Sequence, residues 1–189
     1  GKAIILKLIS TADVLIENFR PGAMKKLGLN YKSLKKTNPG LIYCSHKGFL
    51  KGPYDHRTAL DEVVQMMGGL AYMTGPKGQP LRAGASVNDI MGGMFGVIGI
   101  LGALYQRNHS KKGQMVSTAL FETCVMLIGQ HMAQFAVTGK PADPMPERLA
   151  SWAIYDIFKC KDNEMVFLGV VTDSQWKIFC KKFDLLNLL

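Results

Sequence analysis

The acidic residue Asp89 is the group best placed to do chemistry in this chain. It closes a small, polar stretch, residues 81–88, and a long uncharged run rich in glycine begins immediately after it. If that run is a helix, Asp89 lies at its N-terminus, where unpaired N–H groups and the helix macrodipole favour a carboxylate. Such a carboxylate stays ionised in a fixed position, as a nucleophile or a general base requires.

The alternative role for Asp89 is a structural one. Ser86, Asn88 or Asp89 would each serve as an N-cap, which satisfies backbone N–H groups and needs no chemistry. Judged alone, the cap is the more frequent role, because most helices have caps and few of those caps are catalytic. The surrounding elements therefore have to decide between the two.

The composition is that of a folded protein with a basic surface. Its 189 residues suffice for one sizeable core, or for one domain and part of another. The 48% of hydrophobic residues argues against disorder. A net charge of +9 suits an anionic ligand such as a phosphate-bearing cofactor. The lysines are spread in pairs without an RNA- or DNA-binding signature, so solvated lysine faces explain most of the charge and no nucleic-acid partner is expected.

The cysteines and histidines form no metal-binding pattern. The four cysteines lie far apart without a CxxC pair, and the four histidines are also scattered. We therefore expect no metal site. The sequence shows no secretory signal, so reduced thiols in a cytoplasmic compartment are expected rather than a disulfide framework.

Helices and strands alternate in the first part of the chain. Helices are predicted over 2–11, 21–27, 31–37 and 60–72, and strands over 14–18, 41–45 and 115–117. The spacing suits a parallel α/β sheet. The predicted helix over 60–72 contains Gly68 and Gly69.

Two uncharged apolar segments, 90–106 and 123–139, flank the basic loop 107–113. This arrangement raises the alternative of a non-catalytic, membrane-associated helical hairpin. Polar side chains within the second segment, such as Gln130 and His131, would be costly at bilayer depth, so no membrane association is expected.

The first apolar segment carries its small residues on one helical face. Gly92, Gly96, Gly99 and Ala103 recur at spacings of three and four residues. A face of this kind allows close packing in a soluble core as well as in a bilayer.

The chain changes character near residue 150. Residues 140–151 are proline-rich and irregular, as is typical of a linker. Two strands are then predicted over 152–159 and 165–171, followed by a helix that begins at Asp173. Both ends of the sequence look cut, which predicts a piece of a longer protein.

With these elements placed, the chain resembles the family III CoA-transferases, which include formyl-CoA transferase and carnitine CoA-transferase. The match lies, in family order, in residues 12–22, 45–54, 61–69 and 81–93, with 155–162 and Trp176 resembling the entry into the family's small domain. The resemblance implies an α/β fold: a partial Rossmann-like large domain with parallel strands and helices, and the beginning of a smaller α+β domain. The implied domains are 1–140 for the central part of the CoA-binding domain, 141–151 for the linker and 152–189 for the start of the small domain.

The resemblance also implies a covalent mechanism. Asp89 would attack the thioester of an acyl-CoA to give an aspartyl anhydride, then an aspartyl-CoA thioester that an acceptor carboxylate consumes. Asp61 matches a second acidic residue of the family, with an orienting or electrostatic role, although a helix N-terminal carboxylate is an equal alternative. The family's glycine-rich loop has no equivalent, and only Met145–Ser151 occupies its place.

Coenzyme A and acyl-CoA are implied as substrates, with no tightly bound cofactor. The positions predicted to bind CoA are Asn18, Phe19, Arg20, Ala23, Lys26, Leu27 and Arg57. An exposed turn arginine is the simpler role for Arg20. The partners implied are an acyl-CoA, a small carboxylic acid and a second copy of the chain in an interlocked homodimer.

An acyl-CoA racemase of the same superfamily is the nearest alternative. Racemases place a histidine immediately before the acid that matches Asp61, and this sequence has Leu60 there. That chemistry needs a second base on the opposite face of the α-carbon, so it is disfavoured. The acyl donor and the acceptor acid are not specified by the sequence.

Overall fold

The computed structural model describes residues 1–148, 152 and 154–189. They form two compact units, Gly1–Pro146 and Glu147–Leu189. The predicted linker, 141–151, includes the boundary between the units. Its residues 149–151, which also end the stretch in place of the glycine-rich loop, lie outside the described part of the chain.

The first unit is built on a parallel sheet of three strands in the order β1-β2-β3. These strands are β1 (Val14–Glu17), β2 (Ile42–Lys47) and β3 (Met115–Ala119). The helices before β2 are α1 (Lys2–Ile9), α2 (Ala23–Lys26) and α3 (Tyr31–Leu34). Val14 pairs with Ile42 in one ladder, and Cys44 pairs with Val116 in the next. The predicted α/β class with a parallel sheet is confirmed.

The central strand β2 sends alternate side chains to two different cores. Tyr43 packs with Ile9, Leu34 and other apolar residues of the α1–α3 side. Ile42 and Cys44 face the opposite side, where they pack with Ile100 and Ala103. Cys44 is buried, as expected of a strand residue. The strand therefore separates two apolar layers.

The longest helix, α6 (Val87–Ser110), packs on the sheet through its small residues. An added Cβ would lie 2.4 Å from His46 Cε1 at Gly92 and 2.6 Å from Val116 Cγ1 at Gly99. At Gly96 it would meet Cys44 Sγ at 3.5 Å. The predicted small face is thus used for close contact with β2 and β3.

Two helices, α4 (Asp61–Gly68) and α5 (Leu70–Thr74), lie before α6 in the chain. The prediction of a single helix over 60–72 is wrong, because Gly69 adopts a φ of 93°. That left-handed conformation ends α4, and glycine adopts it without steric cost.

The second apolar segment forms two helices rather than one, α7 (Leu120–Leu127) and α8 (Gly129–Thr138). In the described part of the chain, α6 is the one helix long and apolar enough to cross a membrane by length and composition. A hairpin of two spanning helices therefore does not form from these segments.

The second unit contains an antiparallel pair, β4 (Ile154–Lys159) and β5 (Met165–Val170), and the helix α9 (Asp173–Lys182). Asn163 turns the hairpin with a φ of 74°. The Thr172 hydroxyl caps α9 by accepting a hydrogen bond from the Gln175 N–H at 3.2 Å. The hairpin and the helix that the sequence predicts are both present.

Candidate active site

Asp89 lies in the first turn of α6 but is not its cap. The N-cap is Ser86, whose side chain makes no capping hydrogen bond. The Asn88 N–H, which has no partner within α6, donates instead to the Asp61 carboxylate at 2.8 Å. The capping role is therefore filled by Asp61, the first residue of α4, and not by Asp89.

Asp61 is 3% exposed and connects two helices. It begins α4, and it accepts hydrogen bonds from the Gln65 side-chain amide and from the backbone of Asn88. Gln65 in turn accepts from the Ala83 N–H at 2.7 Å, which ties down the segment before α6. Asp61 thus fixes the position of the first turn of α6.

A cavity of about 520 Å³ lies at the carboxyl ends of β1 and β2. In open parallel sheets this edge is where ligands bind. Asp89 lines the cavity together with Asn18, Phe19 and Arg20 from the turn after β1. The remaining lining residues are Pro21, His46, Lys47, Gly48, Thr58, Ala59, Leu60, Val63 and Leu120. Four of the predicted site residues therefore meet in one place.

The Asp89 carboxylate is exposed at this cavity. Among the described residues, no protein donor forms a hydrogen bond to it. Burial and the neighbouring negative charge of Asp61 raise its pKa above the ordinary value, and His46 opposes the rise. The pKa of Asp89 is thus shifted in the direction opposite to the one that the helix terminus alone would favour, first because of burial and then because Asp61 lies close by.

The turn after β1 is fixed by the buried carboxylate of Glu17. Glu17 accepts hydrogen bonds from the Ser45 hydroxyl at 2.6 Å, the Lys47 ammonium at 2.6 Å and the Phe19 N–H at 2.9 Å. Lys47 also donates to the Phe19 carbonyl. The backbone of the turn that lines the cavity is thereby held at both its N–H and its C=O.

His46 is a cavity residue to which the sequence assigned no role. Its Nδ1 lies 2.6 Å from the Thr118 hydroxyl, and its ring rests against Gly92. Burial lowers the pKa of His46, and Lys47 adds to this, while Asp89 opposes it. The available signal was its position in Ser45-His46-Lys47, at the carboxyl end of a buried strand.

The remaining predicted CoA positions lie outside the described lining of this cavity. Ala23 and Lys26 are on α2, and Leu27 follows it with its side chain half exposed. The Arg57 guanidinium lies 4.9 Å from the centroid of the Tyr54 ring. Within the described residues, no group of three or more His, Cys, Asp or Glu side chains could hold a metal ion.

The sheet, the carboxylate-bearing cavity and the order of motifs define the class of protein. The chain belongs to CoA-transferase family III, whose family model matches residues 1–188. An acetyl-CoA:oxalate CoA-transferase of Acetobacter aceti is 40% identical over 182 residues, covering 95% of this chain and 46% of the relative. The succinyl-CoA:glutarate CoA-transferase of Mus musculus is 32% identical and covers 100% of this chain and 44% of the relative. The chain thus spans less than half the length of these relatives.

Solved structures share the fold. A CaiB/BaiF family protein from Brucella suis matches with a TM-score of 0.86 and 34% identity, covering 97% of this chain and 49% of that one. A hypothetical protein from Mycobacterium tuberculosis matches with a TM-score of 0.79 and 26% identity, covering 95% of this chain and 48% of that one.

Proposed function

We propose that the whole protein is a CoA-transferase that moves CoA from an acyl-CoA to a carboxylic acid, with Asp89 as its nucleophile. The observation that carries the proposal is the Asp89 carboxylate, which faces the cavity and accepts no hydrogen bond from a described protein group. An unpaired carboxylate keeps its lone pairs available for attack. Its relatives in the family act, by their names, on acetyl-CoA with oxalate and on succinyl-CoA with glutarate.

The reaction proceeds in four successive acyl-transfer steps. An Asp89 oxygen attacks the thioester carbon, the C–S bond breaks, and the electron pair leaves with sulfur as CoA thiolate. The thiolate then attacks the aspartyl carbonyl of the anhydride, which releases the donor acid and leaves an aspartyl-CoA thioester. The acceptor carboxylate attacks this thioester to form a second anhydride and thiolate. The thiolate finally attacks the acceptor carbonyl, which frees the new acyl-CoA and Asp89.

In this scheme, residues of the chain bind CoA and position its thioester beside Asp89. Asn18, Phe19 and Arg20 approach the ligand from the turn that Glu17 holds, close to the nucleophile. Ala23, Lys26, Leu27 and Arg57 then contact the parts of CoA that extend beyond the cavity. Lysine and arginine suit its phosphates. CoA is a substrate here and leaves in each cycle.

We also propose an interlocked homodimer in a cytoplasmic compartment. The dimer is supported by large apolar side chains that α6 leaves exposed, namely Met94, Val97, Ile98, Leu101 and Tyr105. Exposed apolar faces of this kind mark association surfaces. Sedimentation of the whole protein tests the dimer, and a monomer would contradict it.

The nucleophile is tested with Asp89→Asn in the whole protein. Asn keeps the size of the side chain but cannot form the anhydride, so CoA transfer should fall by roughly 10⁴-fold or more while folding and CoA binding persist. After incubation with acyl-CoA, hydroxylamine trapping and mass spectrometry should place the adduct on Asp89 in the wild type.

Asp173→Asn is the matched control, because Asp173 is also an acidic residue in the first turn of a helix, α9. It should leave turnover unchanged. An adduct on another residue, or near-normal turnover by the Asp89 variant, would refute the proposed mechanism.

A racemase is distinguished by its exchange chemistry. Leu60 lines the cavity in place of a histidine and offers no base. In D₂O, a racemase would incorporate deuterium at the α-carbon of an acyl-CoA without CoA exchange. We expect CoA exchange without deuterium incorporation.

A further inference from the structure

We propose that His46 is a further residue of the transfer site, and that its Nε2–H stabilises the negative oxygen formed when a thioester is attacked by Asp89. The inference rests on the proposed function above. It is carried by the hydrogen bond of His46 to Thr118, the close approach of the ring to Gly92, and the place of both His46 and Asp89 in the same cavity.

The hydrogen bond to Thr118 fixes the tautomer of the imidazole. Thr118 is 8% exposed, and its hydroxyl contacts no hydrogen-bond acceptor in the described chain other than His46 Nδ1. If the hydroxyl accepted from an Nδ1–H, its own buried proton would lack a partner, at a cost. The hydroxyl therefore donates to Nδ1, and the single proton of the neutral ring lies on Nε2.

Gly92 fixes the place of the ring. The site of a Cβ on Gly92 lies 2.4 Å from Cε1, so the ring edge rests directly on the backbone of α6. Because Nδ1 is engaged by Thr118, Nε2 is the ring nitrogen left for the cavity that His46 lines, and it lies beside the same glycine, 3.2 Å from the site of its Cβ. Gly92 is one helical turn beyond Asp89, which brings this donor to the nucleophile's side of the cavity.

Burial favours the neutral form of the His46 ring, although the nearby charge of Asp89 acts against it. The ionisable groups that act on it are Asp89 of α6 and Lys47 of β2, while β3 contributes only the uncharged Thr118. Burial and Lys47 lower the pKa of His46 against the pull of Asp89. A neutral imidazole donates one hydrogen bond and does not neutralise the attacking carboxylate.

The chemical role follows from the charge that develops in the reaction. When the Asp89 oxygen bonds to the thioester carbon, the carbonyl oxygen becomes negative before the C–S bond breaks. A fixed N–H donor lowers the energy of that oxygen, and the proton stays on nitrogen throughout, so no acid or base is consumed. Removal of one such donor slows a reaction by roughly 10²–10³-fold.

The first test measures the single-turnover acylation of Asp89 in the whole protein, as CoA thiol released and as adduct trapped by hydroxylamine. His46→Leu fills similar space without a donor and should slow acylation by roughly 10²-fold with little change in acyl-CoA affinity. His46→Gln restores an N–H donor and should recover part of the rate. Wild-type rates in the Leu variant, or equal losses in both variants, would overturn the proposal.

The second test moves the ring without changing it. Gly92→Ala places a methyl group against Cε1 and should displace the imidazole, so acylation slows. Gly93→Ala is the matched control, because an added Cβ there meets nothing within 4 Å. It should acylate at the wild-type rate. Equal rates in the two variants would contradict the proposal.

The third test addresses the tautomer. Thr118→Val removes the donor to Nδ1 and should slow acylation, whereas Thr118→Ser keeps the hydroxyl and should not. Equal rates in these two variants would also overturn the role of His46. Failure of the proposed function looks different: the wild type would then form no adduct on Asp89 at all.

Discussion

Two carboxylates at the carboxyl edge of the same sheet have opposite surroundings. Glu17, on the α1–α3 side, is 6% exposed and accepts hydrogen bonds from a hydroxyl, an ammonium and a backbone N–H. Asp89, on the α6 side, is exposed and accepts none from the described residues. A carboxylate whose lone pairs are occupied holds structure together, and one whose lone pairs are free is available for bond formation.

Asp61 is intermediate between these two. It is buried like Glu17 and accepts two hydrogen bonds, yet its negative charge acts on Asp89. The comparison predicts that replacing each residue changes a different property. Glu17 should affect the stability of the fold, Asp61 the pKa of Asp89, and Asp89 the rate of CoA transfer.

The largest effect on stability is expected at Glu17. Glu17→Ala leaves the Lys47 ammonium, the Ser45 hydroxyl and the Phe19 N–H without their acceptor, which should cost about 3 kcal/mol of unfolding free energy. Asp89→Ala should change that free energy by less than about 0.5 kcal/mol, as is usual for exposed sites. Urea unfolding of the whole protein at one fixed concentration measures both. Equal losses would break the comparison.

A smaller effect, on the pKa of Asp89, is expected when Asp61 is replaced. Asp61→Asn keeps an oxygen for the Asn88 N–H and removes a negative charge near Asp89, so the pKa of Asp89 should fall. Carbon-13 NMR of the Asp89 carboxyl, followed with pH, measures the change. Glu62→Gln is the matched control, and it should lower the pKa less, because Glu62 contributes less to raising it. If Glu62→Gln lowered the pKa of Asp89 more than Asp61→Asn does, Asp61 would not be the negative charge that raises it most.

The smallest effect concerns stability at Asp89 itself. Because burial and Asp61 raise its folded-state pKa, the stability this group contributes is present in acid and is lost as pH rises through that pKa. Asp89→Asn should therefore unfold at slightly higher urea than the wild type near neutral pH, and the difference should vanish in acid. Asp173→Asn should instead lose a little stability, because it removes a charge that favours the dipole of α9. The same sign in both variants would contradict this account.

Local patterns predicted much of the fold. The strands β1 and β2, the long helix α6 and its small face follow from periodicity and composition within one segment. The break at Gly69 did not, since a glycine pair inside an apolar helical pattern does not reveal which glycine turns left-handed.

Contacts between distant residues account for what the sequence did not predict. Asp61 caps α6 from 27 positions away, and His46 meets Thr118 across 72 positions. Neither pairing leaves a signature in its own segment. The resemblance predicts a chemical role for Asp89, but the raised pKa of its carboxyl group results first from burial and then from the charge of Asp61, and both arise only in the folded chain.

The bond from Asp61 to Asn88 has a mechanical consequence. Leu60 and Val63, on either side of Asp61, form part of the cavity wall, and Asn88 immediately precedes Asp89. The cavity wall at the start of α4 and the Asp89 side chain at the start of α6 are therefore joined by one hydrogen bond. A displacement of Leu60 or Val63 would therefore reach the first turn of α6, and with it Asp89, through this one hydrogen bond.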